Sequence, residues 1–237
     1  MKIKKVYLGQ QQIYPETHRY TPNQNTIVYY DFENTLNDKS WNSHNASINS
    51  WNPTYENIWS INVINLSGKY LSTWLNTTLF NSSFTFSMWI NFKQLWSLNT
   101  VAWDINGDTW WNLWFQYESS NWWLWWNTVG NRSAGWKRLI YNKPFQAQTW
   151  YNLTLVWSGS ADPTLYVDWS KVTRSTSWPS GFITLTSHAF YIGVAYDTVS
   201  TRKNKNKYSD IFIENVQWTD QDVAAYYEKT KVNYWIS

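Results

Sequence analysis

The sequence predicts an all-β sandwich of two antiparallel sheets with one short helix at the C-terminal end. Three observations predict it. Phe84, Phe86, Met88, Ile90 and Phe92 alternate with Thr85, Ser87, Trp89 and Asn91, the period of two that marks a half-buried strand. Roughly a dozen β-branched and aromatic segments are joined by Asn, Ser and Thr connections, the pattern of a sandwich. Only one stretch, opening at Thr219, reads as a convincing helix.

Taken in order, residues 1–24 read as a separate arm and residues 25–237 as one domain. The arm is polar, with Gln10, Gln11 and Gln12 in its middle and breaks at Pro15 and Pro22. Ile27 to Phe32 is aromatic and β-branched, a good strand. After the strand at Phe84–Phe92, Leu153, Leu155 and Trp157 repeat the alternation. Leu165–Asp168 and Lys171–Thr173 form a hairpin, Phe190–Val194 is an apolar strand, and Ile211 and Ile213 mark the last one. Thr219 then caps the helix, with Asp222 three residues on as in a capping box. Val223, Tyr226, Tyr227 and Thr230 fall on one face of it.

Composition excludes several classes. The chain has no Cys, so it has no disulfide framework, thiolate metal site or Cys nucleophile. His18, His44 and His188 are far apart in sequence, unlike the local spacings of zinc sites. Net charge is +3, too small to argue for nucleic acid. No run of ~18 apolar residues occurs, so no membrane-spanning helix is expected. The N-terminus is basic but turns polar too soon for a signal peptide. Catalysis lacks support: the paired carboxylates of a glycosidase need to stand about 5 Å apart, and Asp210 and Glu214, four apart on one strand face, are two steps distant. A Gly-x-Ser-x-Gly elbow and a phosphate-binding Gly loop are also missing.

Two segments carry candidate binding chemistry. Asp104, Asn106 and Asp108 offer alternate oxygen ligands that can wrap Ca2+. No Glu stands at the twelfth position to complete an EF-hand, and a polar turn with local Asx bonds is the other reading. Asn121 to Asn127 holds Trp122, Trp123, Trp125 and Trp126. Aromatic faces stack on sugar rings and amides bond their hydroxyls, which makes Tyr117, Trp123, Trp125, Trp126 and Asn127 the glycan-binding candidates. Alternation separates Trp123 and Trp125 from Trp122, Leu124 and Trp126, and one of these faces belongs to the core. The basic loop Arg202 to Lys207 reads as a solvated loop or as a contact for an acidic polysaccharide.

The chain resembles the laminin-G-like branch of the concanavalin A-like lectin/glucanase superfamily over about residues 26–230. The resemblance rests on Tyr29-Tyr30-Asp31-Phe32-Glu33-Asn34, Leu36-Asn37-Asp38-Lys39-Ser40, Asn42-Ser43-His44-Asn45-Ala46, and Phe84 to Ile90. Thr149 to Leu153, Leu165-Tyr166-Val167-Asp168 and Thr219 to Asp222 follow in the same order. It implies a jelly-roll of two antiparallel sheets. It also implies binding of carbohydrate or protein, often with calcium, in a superfamily some of whose branches are glycosidases. Asp31, Asn34 and Asp38 hold a family position near the rim, where they either ligate calcium or form turns. Lys4-Lys5-Val6-Tyr7-Leu8-Gly9 resembles short openings of phage structural proteins.

One pair of counts is abnormal. Trp is 21 of 237 residues and Gly only 8 of 237, about 3% against a usual ~7% for Gly. Trp41 and Trp169 stand where the family pattern has Gly, and Trp169 follows Asp168 at a hairpin turn that needs positive φ at both central residues. Trp136, Trp178 and Trp235 are also in turn-like contexts. A gene in which UGA encodes Gly, as in some uncultured bacterial lineages and their phages, gives this excess and deficit together when UGA is translated as Trp. The competing reading is a Trp-rich sugar-binding protein.

These readings predict a non-catalytic carbohydrate-binding or adhesion module on a virion tail or cell surface. Its partner is a cell-surface polysaccharide or glycoconjugate, and the arm attaches it to a larger assembly. A structural or protein-interaction domain of a phage particle, and a glycosidase or lyase of the same fold, are the alternatives.

Overall fold

The computed structural model describes residues 6–8, 11–13, 18–48, 52–95, 99–105, 113–118, 123–128, 137–142, 144–160, 162–173, 187–194 and 205–234. One sheet runs in the order β15 (Ser170–Lys171), β14 (Thr164–Val167), β13 (Trp150–Trp157), β8 (Phe84–Asn91), β17 (Lys207–Glu214), β6 (Ile61–Asn65) and β5 (Thr54–Ile58). β3 (Thr26–Tyr30) also pairs with β17, which makes this sheet eight-stranded. The other sheet has seven strands: β12 (Lys137–Asn142), β11 (Trp123–Thr128), β10 (Leu113–Glu118), β9 (Asn99–Ile105), β16 (Ala189–Ile192), β7 (Leu71–Asn76) and β4 (Ser47–Ile48). Every pairing between these strands is antiparallel. A hairpin of β1 (Val6–Leu8) and β2 (Gln11–Ile13) belongs to neither sheet.

Strand alternation sorts the eight-stranded sheet into two apolar faces. Val28, Tyr30, Ile64, Phe86, Met88, Ile90, Ile211 and Ile213 enter the core between the sheets. Tyr29, Ile61, Val63, Trp89 and Phe212 face the other way, into a second cluster with Tyr20, Tyr226, Tyr227 and Tyr234. The alternation in β8 reads as half-buried, yet all eight of its residues are buried. The cause is the helix: α1 (Asp220–Thr230) and the 3-10 turn Lys231–Tyr234 cover the outer face of this sheet. The Trp89 indole stacks on Tyr234 at 4.0 Å between ring centroids, and its N–H donates to Thr230 Oγ1 at 3.1 Å.

The capping box read at Thr219 and Asp222 is present, and the face predicted for α1, Val223, Tyr226, Tyr227 and Thr230, is its buried face. Burial, with Asp168 and Glu228 nearby, pushes the Tyr227 phenol up to about 12.

Two fully buried carboxylates on β17 tie this layer together. Asp210 stands at φ 45°, in a bulge where β17 gains a residue against β8 and changes partner from β6 to β3. An Asp tolerates that conformation better than most residues. Asp210 accepts from Arg19 Nη1 at 2.8 Å, Tyr29 Oη at 2.7 Å and Tyr234 Oη at 2.9 Å. Glu214 accepts from Tyr20 Oη, from Asn23 Nδ2 at 2.7 Å and from Trp218 Nε1 at 2.6 Å. Buried charges persist where they are paired and hydrogen-bonded, and each carboxylate here has three donors. Arg19, Tyr20 and Asn23, from the segment read as an arm, therefore reach into the domain.

Candidate functional site

In an antiparallel pair, directly opposed residues share a face of the sheet. This register builds the seven-stranded sheet into rows. Ile48, Leu71, Ile192, Ala102, Phe115, Trp126 and Leu139 are opposed in sequence across all seven strands. Leu71, Ala102 and Ile192 are buried in the core and Ile48 packs on it, so this row is on the core face.

The neighbouring row is on the outer face. It runs Ser47, Ser72, Tyr191, Trp103, Trp114, Asn127 and Arg138, again through all seven strands. Tyr191 is half-buried and meets Tyr70 edge-to-face at 5.5 Å. Two further outer rows follow on β10, β11 and β12: Gln116, Trp125 and Ile140, then Glu118, Trp123 and Asn142. By register, this face of the sheet gathers aromatic, amide and Arg positions in adjoining rows.

Trp123, Trp125 and Asn127 are thus brought together on the outer face. Tyr117 and Trp126 occupy rows of the opposite face, Tyr117 opposed to Leu124 and Trp126 to Phe115. Asp104 is opposed to Phe190 near the end of β9, while Asn106 and Asp108 lie outside the described residues. Trp103, Trp114, Arg138 and Tyr191 are new members of the face. Nothing in their local sequence marks them, because only the strand pairing aligns them.

The rim residues Asp31, Asn34 and Asp38 form turns. Asp38 accepts from the backbone N–H groups of Tyr29, Ser40 and His44 and from Ser40 Oγ. Asp31 accepts from the Glu33 N–H, and Asn34 stands at φ 56°. Among the described residues no group of three His, Asp or Glu side chains is placed to hold a metal. In the basic loop, Lys207 pairs with Glu56 at 2.5 Å. Burial works against the Glu56 charge, and the bonds from Lys207 and Asn65 override it, leaving its carboxyl below the ordinary value.

A cleft of about 630 Å³ opens beside the start of α1, lined by Tyr166, Lys171, Trp218 and Asp220 among others. Its polar groups bond one another: Lys171 Nζ and Tyr166 Oη donate to Asp220 at 2.8 and 2.6 Å. Asp210 and Glu214, the carboxylates nearest to a catalytic spacing in the sequence, are held by three donors each.

The architecture is that of an antiparallel jelly-roll with a helix packed on one sheet. The chain belongs to the concanavalin A-like lectin/glucanases superfamily, whose laminin-G family model matches residues 65–224. Among solved structures it resembles domain 4 of AbnA, an extracellular arabinanase from Geobacillus stearothermophilus, in complex with arabinotriose. The TM-score is 0.66 at 18% identity, over 85% of this chain and 98% of that one. It also resembles the binding domain of botulinum neurotoxin serotype D, with a TM-score of 0.63 at 14% identity over 86% of this chain. A further structure of that toxin's ligand-binding domain, in complex with N-acetylneuraminic acid, gives a TM-score of 0.63 at 14% identity. The chain spans 51% and 50% of these two neurotoxin chains. No curated protein matches it in sequence. Among the described residues no helix is long and apolar enough to cross a membrane.

Proposed function

We propose that the domain is a non-catalytic carbohydrate-recognition module that binds oligosaccharide on the outer face of its seven-stranded sheet. The row from Tyr191 through Trp103, Trp114 and Asn127 to Arg138 carries this reading. Aromatic members stack on the apolar faces of sugar rings while Asn127 and Arg138 bond their hydroxyls. The arabinotriose-bound domain and the N-acetylneuraminic acid-bound domain of the same fold support it. The engagement of Asp210 and Glu214 by three donors each favours a structural role for them. In this reading the module is displayed on a virion tail or cell surface, bound to a cell-surface polysaccharide or glycoconjugate. Calcium at Asp104, Asn106 and Asp108 belongs to the same reading.

The test is a glycan array that includes arabinan and sialylated oligosaccharides, run with calcium and with EDTA. Saturable binding of a glycan class supports the proposal, and an array without signal in both conditions refutes it. The hairpin β1–β2, outside both sheets, favours a second reading, a structural domain of a phage particle that assembles through its arm. That reading predicts a larger assembly by light scattering, dissolved by removing residues 1–17, with no glycan signal.

A further inference from the structure

Among the described residues, nine non-glycine residues have left-handed backbone, and three of them are tryptophans: Trp59 at φ 62°, Trp74 at φ 58° and Trp169 at φ 64°. For a bulky residue this is a true outlier. Two of them sit in hairpin turns that specify glycine, and the third in a bulge.

Trp59 opens the two-residue loop between the paired residues Ile58 and Ile61, and the following Ser60 is not left-handed. That is a type II′ hairpin, whose first central residue is Gly. Asp168, at φ 50°, and Trp169 close the loop between the paired residues Val167 and Ser170. Both central residues are left-handed, the type I′ turn that Asp-Gly satisfies. Trp74 lies in β7 where Ser72 to Asn76 spans the same register as Tyr191 to Ala189 in β16. The two surplus residues form a bulge, and Trp74 inside it holds a left-handed backbone that glycine adopts at no steric cost.

The three indoles are largely exposed to solvent. Trp59, Trp74 and Trp169 are 61%, 71% and 52% exposed. Trp89 and Trp157, with ordinary backbone, are 0% and 6% exposed. The Trp218 indole N–H is bonded to Glu214. The glycines Gly68, Gly159 and Gly193 stand at φ 81°, 92° and 87°, doing the work these three tryptophans are asked to do. Trp41 is exposed but has ordinary φ, the left-handed residue of its loop being Ser43. It is therefore outside the set.

We infer that residues 59, 74 and 169 are glycine in the protein as its own cell makes it, encoded by UGA read as glycine, while Trp89, Trp157 and Trp218 are tryptophans encoded by UGG. The inference is independent of glycan binding, because it concerns turns and a bulge and not the sheet face.

Codon reading of the gene and peptide mass spectrometry of the natively produced protein test it directly. UGA codons and glycine masses are expected at 59, 74 and 169, with tryptophan masses at 89, 157 and 218. A UGG codon or a tryptophan mass at any of the first three overturns it. In recombinant protein, Trp59→Gly, Trp74→Gly and Trp169→Gly each raise Tm by about 2–4 °C, while Trp157→Gly lowers it. A fall in Tm on all three of the first set contradicts the inference.

Discussion

Arg19 Nη1 donates to Asp210 Oδ1 at 2.8 Å, joining residues 191 positions apart in the chain. Arg19 also bonds the Asp31 and Asn62 carbonyl oxygens and the Glu33 carboxylate. Burial works against its charge, yet Asp210, Tyr234, Tyr29 and Glu33 together raise its pKa further. The side chain is 13% exposed and that of Asp210 is 0% exposed, so the pair is interior and each partner depends on the other.

Removing one partner of such a pair leaves an uncompensated buried charge. Asp210→Ala is expected to destabilise the domain by about 3–5 kcal/mol, read as a lower urea midpoint. Arg19→Met/Asp210→Leu, which removes both charges, loses less than Asp210→Ala alone. Equal losses for the two variants would show that the pair is not interdependent.

The same pair predicts where the folding unit begins. A chain starting at residue 25 lacks Arg19, Tyr20 and Asn23, and with them three of the six donors to Asp210 and Glu214. Of those six, Tyr29, Tyr234 and Trp218 lie beyond residue 24, so three donors remain and three are lost. Thermal unfolding of a chain starting at 25 is expected to move down by several degrees relative to one starting at 18. Coincident transitions would make residues 18–24 dispensable.

Alkaline stability follows from the buried phenols. Burial raises the Tyr20, Tyr29, Tyr226 and Tyr234 pKa values, with Glu214 adding at Tyr20 and Asp210 at the other three. A group whose pKa is raised on folding contributes stability that is intact below its unfolded value and lost as pH rises through the folded one. The urea midpoint should therefore hold to about pH 9 and fall above about pH 10, the unfolded phenol value. The phenolate absorbance of these tyrosines should appear together with loss of the near-UV dichroism. Titration of every tyrosine near pH 10 in a still-folded domain would contradict this.

The cap of α1 is a smaller, local term. Thr219 Oγ1 accepts the Asp222 N–H at 3.2 Å and Asp222 Oδ2 accepts the Thr219 N–H at 2.8 Å. Thr219→Ala is expected to cost about 1 kcal/mol, and Thr219→Ser nearly nothing. The larger effect is Trp89→Ala, about 3–5 kcal/mol, because Trp89 anchors α1 and the C-terminal turn on the sheet.

Much of this fold was legible in the sequence. The Phe84–Phe92 alternation, the Thr219–Asp222 box and the apolar face of α1 are local patterns, and local hydrogen bonding and burial enforce them. Two-sided burial of β8 was not legible, because it depends on a helix that arrives more than a hundred residues later. Nor was the role of Arg19 and Tyr20: a polar, Pro-flanked segment gives no sign of two buried carboxylates on the last strand. At the candidate face, alternation separated Trp123 and Trp125 from Trp126. It could not say which set shared a face with Ala102 and the core, since that is fixed by pairing across β9, β10 and β11. Asn127 was visible as an amide among aromatics, while Arg138 joined it only through the β11–β12 register.

The central claim is that the outer face of the seven-stranded sheet binds oligosaccharide. Its most direct test is titration calorimetry of the glycan with the strongest array signal against the protein and against Asn127→Ala/Arg138→Ala. Neither residue depends on how UGA is decoded. The account predicts that the double variant keeps its Tm and loses affinity by about tenfold or more, while Lys171→Met, at the cleft beside α1, binds as the parent does. Unchanged affinity in the double variant, or loss of binding in Lys171→Met alone, would contradict it.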